Sequence, residues 1–448
     1  MKAALHNLGC KTNSYETEAM EQSLREAGYE IVAFAGEEPA DIYVINTCSV
    51  TNIADRKSRQ MLHKARALNP AAVIVAVGCF VQTSDRAVLE KEGFDICLGS
   101  NDKGKLTESI QAFLKDGVRR ITVSDLKKKT GYEELSVNDK PKHTRAFIKI
   151  EDGCDQFCTF CIIPYARGRV RSRRADDVVR EVNNLAQGGI KEIVLTGINM
   201  SAYGTDLDAD NGLADLLLKL QEVQGIERIR ISSLEPGLVS REFLEKIKPV
   251  TRLCPHFHLS LQSGSDSVLK RMNRRYSCAE YLDKCDILRE YYEDPSITTD
   301  IITGFPGETD EEFAETLKFA ETAGFFDIHV FAFSQREGTP AAKMQSQIPG
   351  NVKRLRSALL IQKAAQLKRK SLETFAGTTD EVLIEEVWKG ELPDEYAPDG
   401  CDAFYVGHTR RYIKVLVPMN EEGLEGRIVS VKFENVISVA GEDYIIAS

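Results

Sequence analysis

From Arg145 onward the chain repeats one pattern six times: a short apolar run of strand character, then a stretch with helical periodicity. The strand-like runs lie near Ala146–Ile150, Glu192–Gly197, Arg228–Ser232, Phe257–Leu261, Thr298–Ile302 and Ile328–Phe333. Consecutive βα units force parallel strands joined by right-handed crossovers. Six of them predict an open, three-quarter version of the (β/α)8 barrel over residues 145–374. A long basic helix, Val352 to Phe375, is expected to close it.

The same alternation on a smaller scale fills residues 1–121. Lys2–Gly9, Asp41–Thr47 and Ala72–Gly78 read as strands, the last two as apolar runs of a buried parallel sheet. Helical patterns follow at Tyr15–Ala27, Ala54–Leu68 and Asp85–Lys91, which together predict a doubly wound α/β domain. Residues 122–144 are lysine-rich, polar and interrupted by Gly131 and Pro141, and read as a linker. In residues 375–448 the strand-like runs Glu381–Glu386, Phe404–Gly407, Tyr412–Pro418, Glu425–Val431 and Asp443–Ala447 predict a small Greek-key barrel of the oligonucleotide-binding type. The fold class is therefore α/β with a β-barrel at the end.

No run of the 448 residues reaches the ~18 apolar residues that a membrane span needs. The start of the chain has too short an apolar stretch for a signal peptide, so a cytoplasmic protein with no membrane partner is expected. Eleven cysteines in such a chain argue for metal or redox chemistry rather than a disulfide framework. The net charge of −10 disfavours nonspecific nucleic-acid binding but leaves room for a local basic groove.

Three of those cysteines, Cys154, Cys158 and Cys161, share one short loop after the first barrel strand. Three thiolates at this spacing can ligate three irons of a 4Fe–4S cube and leave the fourth iron open. The amino and carboxylate groups of S-adenosylmethionine (SAM) can chelate such an iron. The competing reading is a structural zinc with a distant fourth ligand. Cys10, Cys48 and Cys79 are far apart in sequence, yet each falls just past the carboxyl end of a predicted parallel strand. Such ends converge on one crevice in open α/β sheets, so these thiols are expected to meet and again to supply one ligand fewer than a cube needs. The competing reading is three unrelated buried thiols.

The Cys-x3-Cys-x2-Cys spacing, with Phe160 before the last cysteine, resembles the radical-SAM superfamily. Leu-Gly-Cys-Lys-Thr-Asn, Asn-Thr-Cys-Ser-Val and Val-Gly-Cys-Phe, followed by Gly-Cys-Asp-Gln-Phe-Cys-Thr-Phe-Cys-Ile-Ile-Pro, resemble its methylthiotransferase family along essentially the whole chain. The tail is similar to that family's RNA-binding TRAM domain. Gly-Cys-Lys-Thr-Asn and Cys-Ile-Ile-Pro-Tyr-Ala-Arg-Gly look most like the subgroup acting on threonylcarbamoyladenosine at position 37 of tRNA. The resemblance implies an auxiliary 4Fe–4S cluster on Cys10, Cys48 and Cys79 and a SAM cluster on Cys154, Cys158 and Cys161. It further implies two SAM per turnover, a tRNA anticodon stem-loop as substrate, and a low-potential electron donor such as flavodoxin or ferredoxin. Two rivals within the class are an isopentenyladenosine base and a ribosomal protein; a rival from another class is a non-catalytic, RNA-binding redox sensor.

SAM contacts are expected at barrel strand ends: Thr196, Gly197, Glu235, Gln262, Ser263, Gly304 and Pro306. Tyr165, Arg167, Arg169, Arg171, Arg173 and Arg174 crowd the segment after the cysteine loop and are candidate RNA contacts, as are Arg410 and Arg411 in the tail. His256 and His258 are taken to face opposite sides of their strand, and Asp300 receives no catalytic role. Trp388 is read as core or as a base-stacking residue. Cys97, Cys254, Cys278, Cys285 and Cys401 fall in no motif.

Overall fold

The computed structural model describes residues 1–128, 131–137, 144–207, 212–390, 392 and 403–448, so Pro141 and Cys401 lie outside the described residues. The first sheet holds β1 (Lys2–Asn7), β2 (Glu30–Ile31), β3 (Ile42–Thr47), β4 (Val73–Gly78), β5 (Ile96–Leu98) and β6 (Arg120–Thr122). Its order is β2-β1-β3-β4-β5-β6 and every pairing is parallel. All residues of β3 and β4 are buried, because helices cover both faces and an apolar side chain is needed at every position. β2, β5 and β6 went unread in the sequence; with two or three residues each they are too short to show a period.

The barrel strands are β7 (Arg145–Lys149), β8 (Glu151–Asp152), β9 (Arg171–Ser172), β10 (Glu192–Thr196), β11 (Arg228–Ile231), β12 (His256–His258), β13 (Ser296–Thr303) and β14 (Asp327–Ala332). β7, β10 and β11 form one parallel sheet, and β12, β13 and β14 another. Single parallel bridges, Ile229 to Leu253 and Leu234 to Leu259, join the two into one open barrel wall. One continuous apolar core runs behind it, from Ile148 through Leu195, Ile231 and Leu259 to Ile328. The short antiparallel pair β8–β9 ties off the cysteine loop at its base. The helix Gly350–Glu373 packs against β14 and buries Leu360 and Ala364.

The tail forms a closed barrel of β15 (Thr379–Val387), β16 (Phe404–Thr409), β17 (Lys414–Pro418), β18 (Ile428–Val439) and β19 (Glu442–Ala447). Trp388 packs edge-on against Phe404 and Tyr444 inside it, so its role is core packing. This barrel covers the mouth of the larger one at the amino ends of its strands. Tyr412, held at φ +67°, stacks on His256 at 4.9 Å and on His408 at 4.4 Å. Arg145 and Arg230 lie over the same ring. Arg228 and Arg230 donate to the carbonyls of Glu381, His408, Thr409 and Arg410, fixing the tail beneath the amino ends of β7, β10 and β11. Among the described residues no helix is long and apolar enough to cross a membrane.

Candidate active site

β1, β3 and β4 are neighbours in the first sheet, so the loops after them leave side by side. Cys10 precedes the helix Lys11–Glu26, Cys48 follows β3, and Cys79 opens the helix Cys79–Thr83. Gly9, at φ +133°, lets its loop graze Cys48: a Cβ there would sit 3.3 Å from the Cys48 sulfur. Burial pushes the Cys48 thiol up to about 11, and the Cys79 and Cys10 thiols push it the same way. Cys48 and Cys79 are buried and Cys10 is exposed, which leaves one side of the triplet open.

Behind Cys79 lies a fully buried charge network that joins the two α/β units. Arg167 donates through Nε to the Cys79 sulfur at 3.3 Å, and through its other nitrogens to Glu16 at 2.5 Å, Asn13 at 2.6 Å and Asp152 at 3.2 Å. Lys149 bridges Glu16 and Asp152, both at 2.7 Å; Lys103 adds a contact to Glu16 and Arg171 one to Asp152. None of these six charged residues is more than 3% exposed. Burial works against ionising Glu16, but Arg167, Lys103 and Lys149 override it and hold its carboxyl well below the usual range. Four cations therefore meet two carboxylates in direct contact, with Glu133 as a third in the field of Lys103 and Lys149. Buried charge without compensation is costly, so the excess fits an anionic, thiolate-ligated group at Cys79.

The second triplet sits on the loop between β8 and β9. Cys158 is buried, and Cys154 and Cys161 are half-buried. Burial, then the neighbouring cysteine thiols, push Cys154 and Cys161 up to about 12. Arg274 donates to the Cys158 sulfur at 3.3 Å while gripping Glu235 bidentately at 3.1 and 2.6 Å. The Asn199 amide lies 3.8 Å from the Cys154 sulfur. Glu151 accepts from the backbone N–H groups of Ile198 and Asn199 at 2.8 and 2.7 Å, which pins the turn after β10. Burial nonetheless raises its carboxyl to about 8, and its other oxygen has no partner. Gly197 is required here, since a Cβ would meet that carboxylate at 2.8 Å.

Among the described residues, neither triplet brings its three sulfurs within 4.8 Å of one another. Tetrahedral zinc at ~2.3 Å from each sulfur would hold them at roughly 3.8 Å. At least one pair in each triplet is therefore wider apart than a single zinc would set.

One cysteine of each triplet lines a cavity, and the two cavities share Asp300 and Phe331. A cavity of about 870 Å³ is lined by Cys10 and Lys11 at one end, Thr196 and Gly197 on the wall, and Tyr412 and His408 of the tail at the other. A second cavity of about 230 Å³ joins Phe160, Cys161 and Gln262 to Val50 and Thr51 from the first domain. Arg336 fixes that junction, donating to Ser49 at 2.9 Å and pairing with Asp55. Of the expected SAM contacts, Thr196, Gly197 and Gln262 line these spaces, and Glu235 stands beside Cys158 through Arg274. Ser263 instead turns into the core toward Thr316. Gly304 and Pro306 build a buried turn whose first N–H is capped by Glu308, and they line neither cavity.

Several expectations for RNA contact are corrected by burial. Arg167, Arg171 and Arg173 point inward, the last onto Glu181 and the Tyr15 hydroxyl. Arg410 is spent on the carbonyls of Thr251 and Leu253, and Arg411 on those of Glu293 and Asp294. Tyr165, Arg169 and Arg174 remain on the surface. His256 and His258 are also corrected: two residues apart on one strand they share a face, and both line the large cavity. There Asp300 joins them: His258 and His329 approach its two oxygens at 3.4 and 3.1 Å. Glu16, Lys103, Lys149, Asp152 and Arg274 were not singled out in the sequence. A charged residue inside an otherwise apolar strand, as Lys149 is in β7, was the available signal.

Known proteins match this arrangement. The Radical SAM superfamily profile matches residues 148–320, and that of the uncharacterized protein family UPF0004 matches residues 2–99. The chain is 42% identical to the threonylcarbamoyladenosine tRNA methylthiotransferase MtaB of Bacillus subtilis, over 96% of this chain and 93% of that one. It is 38% identical to the MtaB of Thermotoga maritima over 90% of each. It is 35% identical to a tRNA-2-methylthio-N(6)-dimethylallyladenosine synthase of Clostridium perfringens, over 95% and 93%. Among solved structures, the radical SAM methyltransferase TsrM of Kitasatospora setae aligns over 76% of this chain and 73% of its own with a TM-score of 0.55. At 15% identity that likeness speaks for the fold alone. The chain belongs to the radical-SAM methylthiotransferase family.

Proposed function

We propose that this chain is a cytoplasmic tRNA methylthiotransferase that places a methylthio group on C2 of N6-threonylcarbamoyladenosine at position 37. One observation carries the reading: two cysteine triplets, each one ligand short of a cube, reach adjoining cavities through Cys10 and Cys161 in a chain whose relatives are named for this reaction. Cys10, Cys48 and Cys79 would hold one 4Fe–4S cluster, and Cys154, Cys158 and Cys161 the other together with SAM. When bound, these groups supply a 5′-deoxyadenosyl radical for hydrogen abstraction and the sulfur that replaces that hydrogen, with two SAM used per turnover.

The chain's own side chains set the conditions for this. Arg167 and Lys149 hold positive charge against the first triplet. Arg274 does the same at Cys158 and orients Glu235 toward the SAM side. The turn Gly197–Asn199, pinned by Glu151, presents backbone to the bore. Residues 1–121 thus serve one cluster, 145–374 the other, and the TRAM-like 375–448 closes the bore. The tRNA anticodon stem-loop enters past the exposed Tyr165, Arg169 and Arg174, and a low-potential flavodoxin or ferredoxin donates electrons.

Mass spectrometry of tRNA nucleosides tests this, in cells lacking the activity with and without the chain expressed. 2-Methylthio-threonylcarbamoyladenosine is the expected product. Appearance of 2-methylthio-isopentenyladenosine in its place overturns the substrate. Unchanged tRNA from cells making the cluster-loaded protein overturns the reaction and turns attention to a ribosomal protein or to redox sensing.

A further inference from the structure

The large cavity is rich in charge, and nearly all of that charge is already matched. Lys368 pairs with Asp327 at 2.8 Å, Lys414 with Glu442 at 2.9 Å, and His408 with Glu385 at 2.6 Å. Asp443 accepts from Ser438, and Asp300 lies between His258 and His329. Two lining groups stand apart. Lys11, the residue after Cys10 and the first of its helix, makes no hydrogen bond or ion pair among the described residues. His256 is 7% exposed, and its Nδ1 is buried with no partner while its ring is fixed against Tyr412. Lys11 and His256 therefore line one cavity beside the first triplet, the ammonium without an ion-pair partner and the ring with an unpaired nitrogen.

A buried polar atom left unpaired is unfavourable, and a lone cation in a cavity selects for an anion. We propose that Lys11 and His256 form a carboxylate-reading subsite that takes the terminal carboxylate of the N6-substituent and so selects threonylcarbamoyladenosine. This rests on the substrate class proposed above. The threonyl group ends in a carboxylate and carries a hydroxyl, which matches an ammonium and a ring nitrogen. An isopentenyl group offers neither and would leave both unpaired. The site is specificity-determining and takes no part in the chemistry.

The test uses cluster-loaded enzyme and three anticodon stem-loops that differ at position 37: threonylcarbamoyladenosine, its neutral carboxamide analogue, and isopentenyladenosine. Binding is read by fluorescence anisotropy and turnover by mass spectrometry. Wild-type enzyme is expected to bind the acid about 10- to 100-fold more tightly than the carboxamide, the loss that follows when one charge-assisted contact is removed. Lys11→Met is expected to erase that ratio and Lys11→Arg to keep most of it. His256→Phe, which preserves the stack on Tyr412, is expected to reduce it several-fold. Iron content and cluster absorbance are measured on each variant, and the wild-type ratio decides the matter without any variant if Lys11→Met loses iron. Equal binding of acid and carboxamide by wild type overturns this subsite while leaving the threonylcarbamoyladenosine reading intact. Turnover of the isopentenyl stem-loop alone overturns both.

Discussion

The two cysteine triplets are assembled by opposite routes. Cys154, Cys158 and Cys161 lie on one loop whose ends are clamped by β8 and β9, so their proximity is a local property of the chain. Cys10, Cys48 and Cys79 come together only because β1, β3 and β4 are adjacent in a folded sheet. The local site leans on one arginine, Arg274; the distributed site leans on a buried network that spans both α/β units. A site assembled from distant segments needs the fold to be right before it exists, and the network is what holds the fold right there.

The largest expected effect comes from breaking the local site. Cys154→Ala, Cys158→Ala or Cys161→Ala should reduce 5′-deoxyadenosine formation from SAM to background, read by mass spectrometry under anaerobic reduction. About four irons should remain per chain, held by the other triplet.

Next comes Arg167→Met, which leaves Glu16 and Asp152 without their shared cation and removes the contact to Cys79. Removing one member of a buried ion network costs about 3–5 kcal/mol. Denaturant unfolding should report that loss, and iron analysis should show the first triplet emptied while the second stays loaded. A loaded first triplet in Arg167→Met would show that the network is scaffolding only.

A smaller effect has a definite sign in pH. The carboxyls of Glu16 and Asp152 are depressed in the folded protein, so their stabilisation is present above the unfolded carboxylate range near ~4. It is lost as pH falls below that range toward the folded values. Acid unfolding should therefore begin below about pH 4 in the wild type. Glu16→Gln should be weaker at pH 7 and show a shallower acid transition.

The smallest effects separate exposed from buried arginines. Arg169→Ala and Arg174→Ala should each flatten the salt dependence of stem-loop binding by about 0.7 in log–log slope, with no change in unfolding. Arg410→Ala should do the reverse, lowering stability through the lost tail–barrel contact while leaving the salt slope alone.

This contrast also explains what could be read from the sequence. The six βα units and the convergence of β1, β3 and β4 were legible because parallel strands buried on both faces are written as apolar runs, and the tail barrel because its short strand-like runs are separated by polar turns. The cysteine positions were legible because they punctuate those runs. The direction of the arginines was not. Arg167, Arg171 and Arg173 look like a basic surface in sequence, and only the packing of Glu16 and Glu181 against them turns them inward. Nor does the sequence show that Arg228 and Arg230, alternating in a short strand, face the tail rather than solvent. Long-range partners of charged groups carry no periodic signature.

On the proposed reading the two triplets hold separate groups with separate roles. The decisive protein is the variant with Cys10, Cys48 and Cys79 all changed to Ala, reconstituted with iron and sulfide. About four irons per chain, continued formation of 5′-deoxyadenosine and no methylthiolated nucleoside are expected. A folded variant that loses SAM cleavage along with sulfur insertion would contradict that reading.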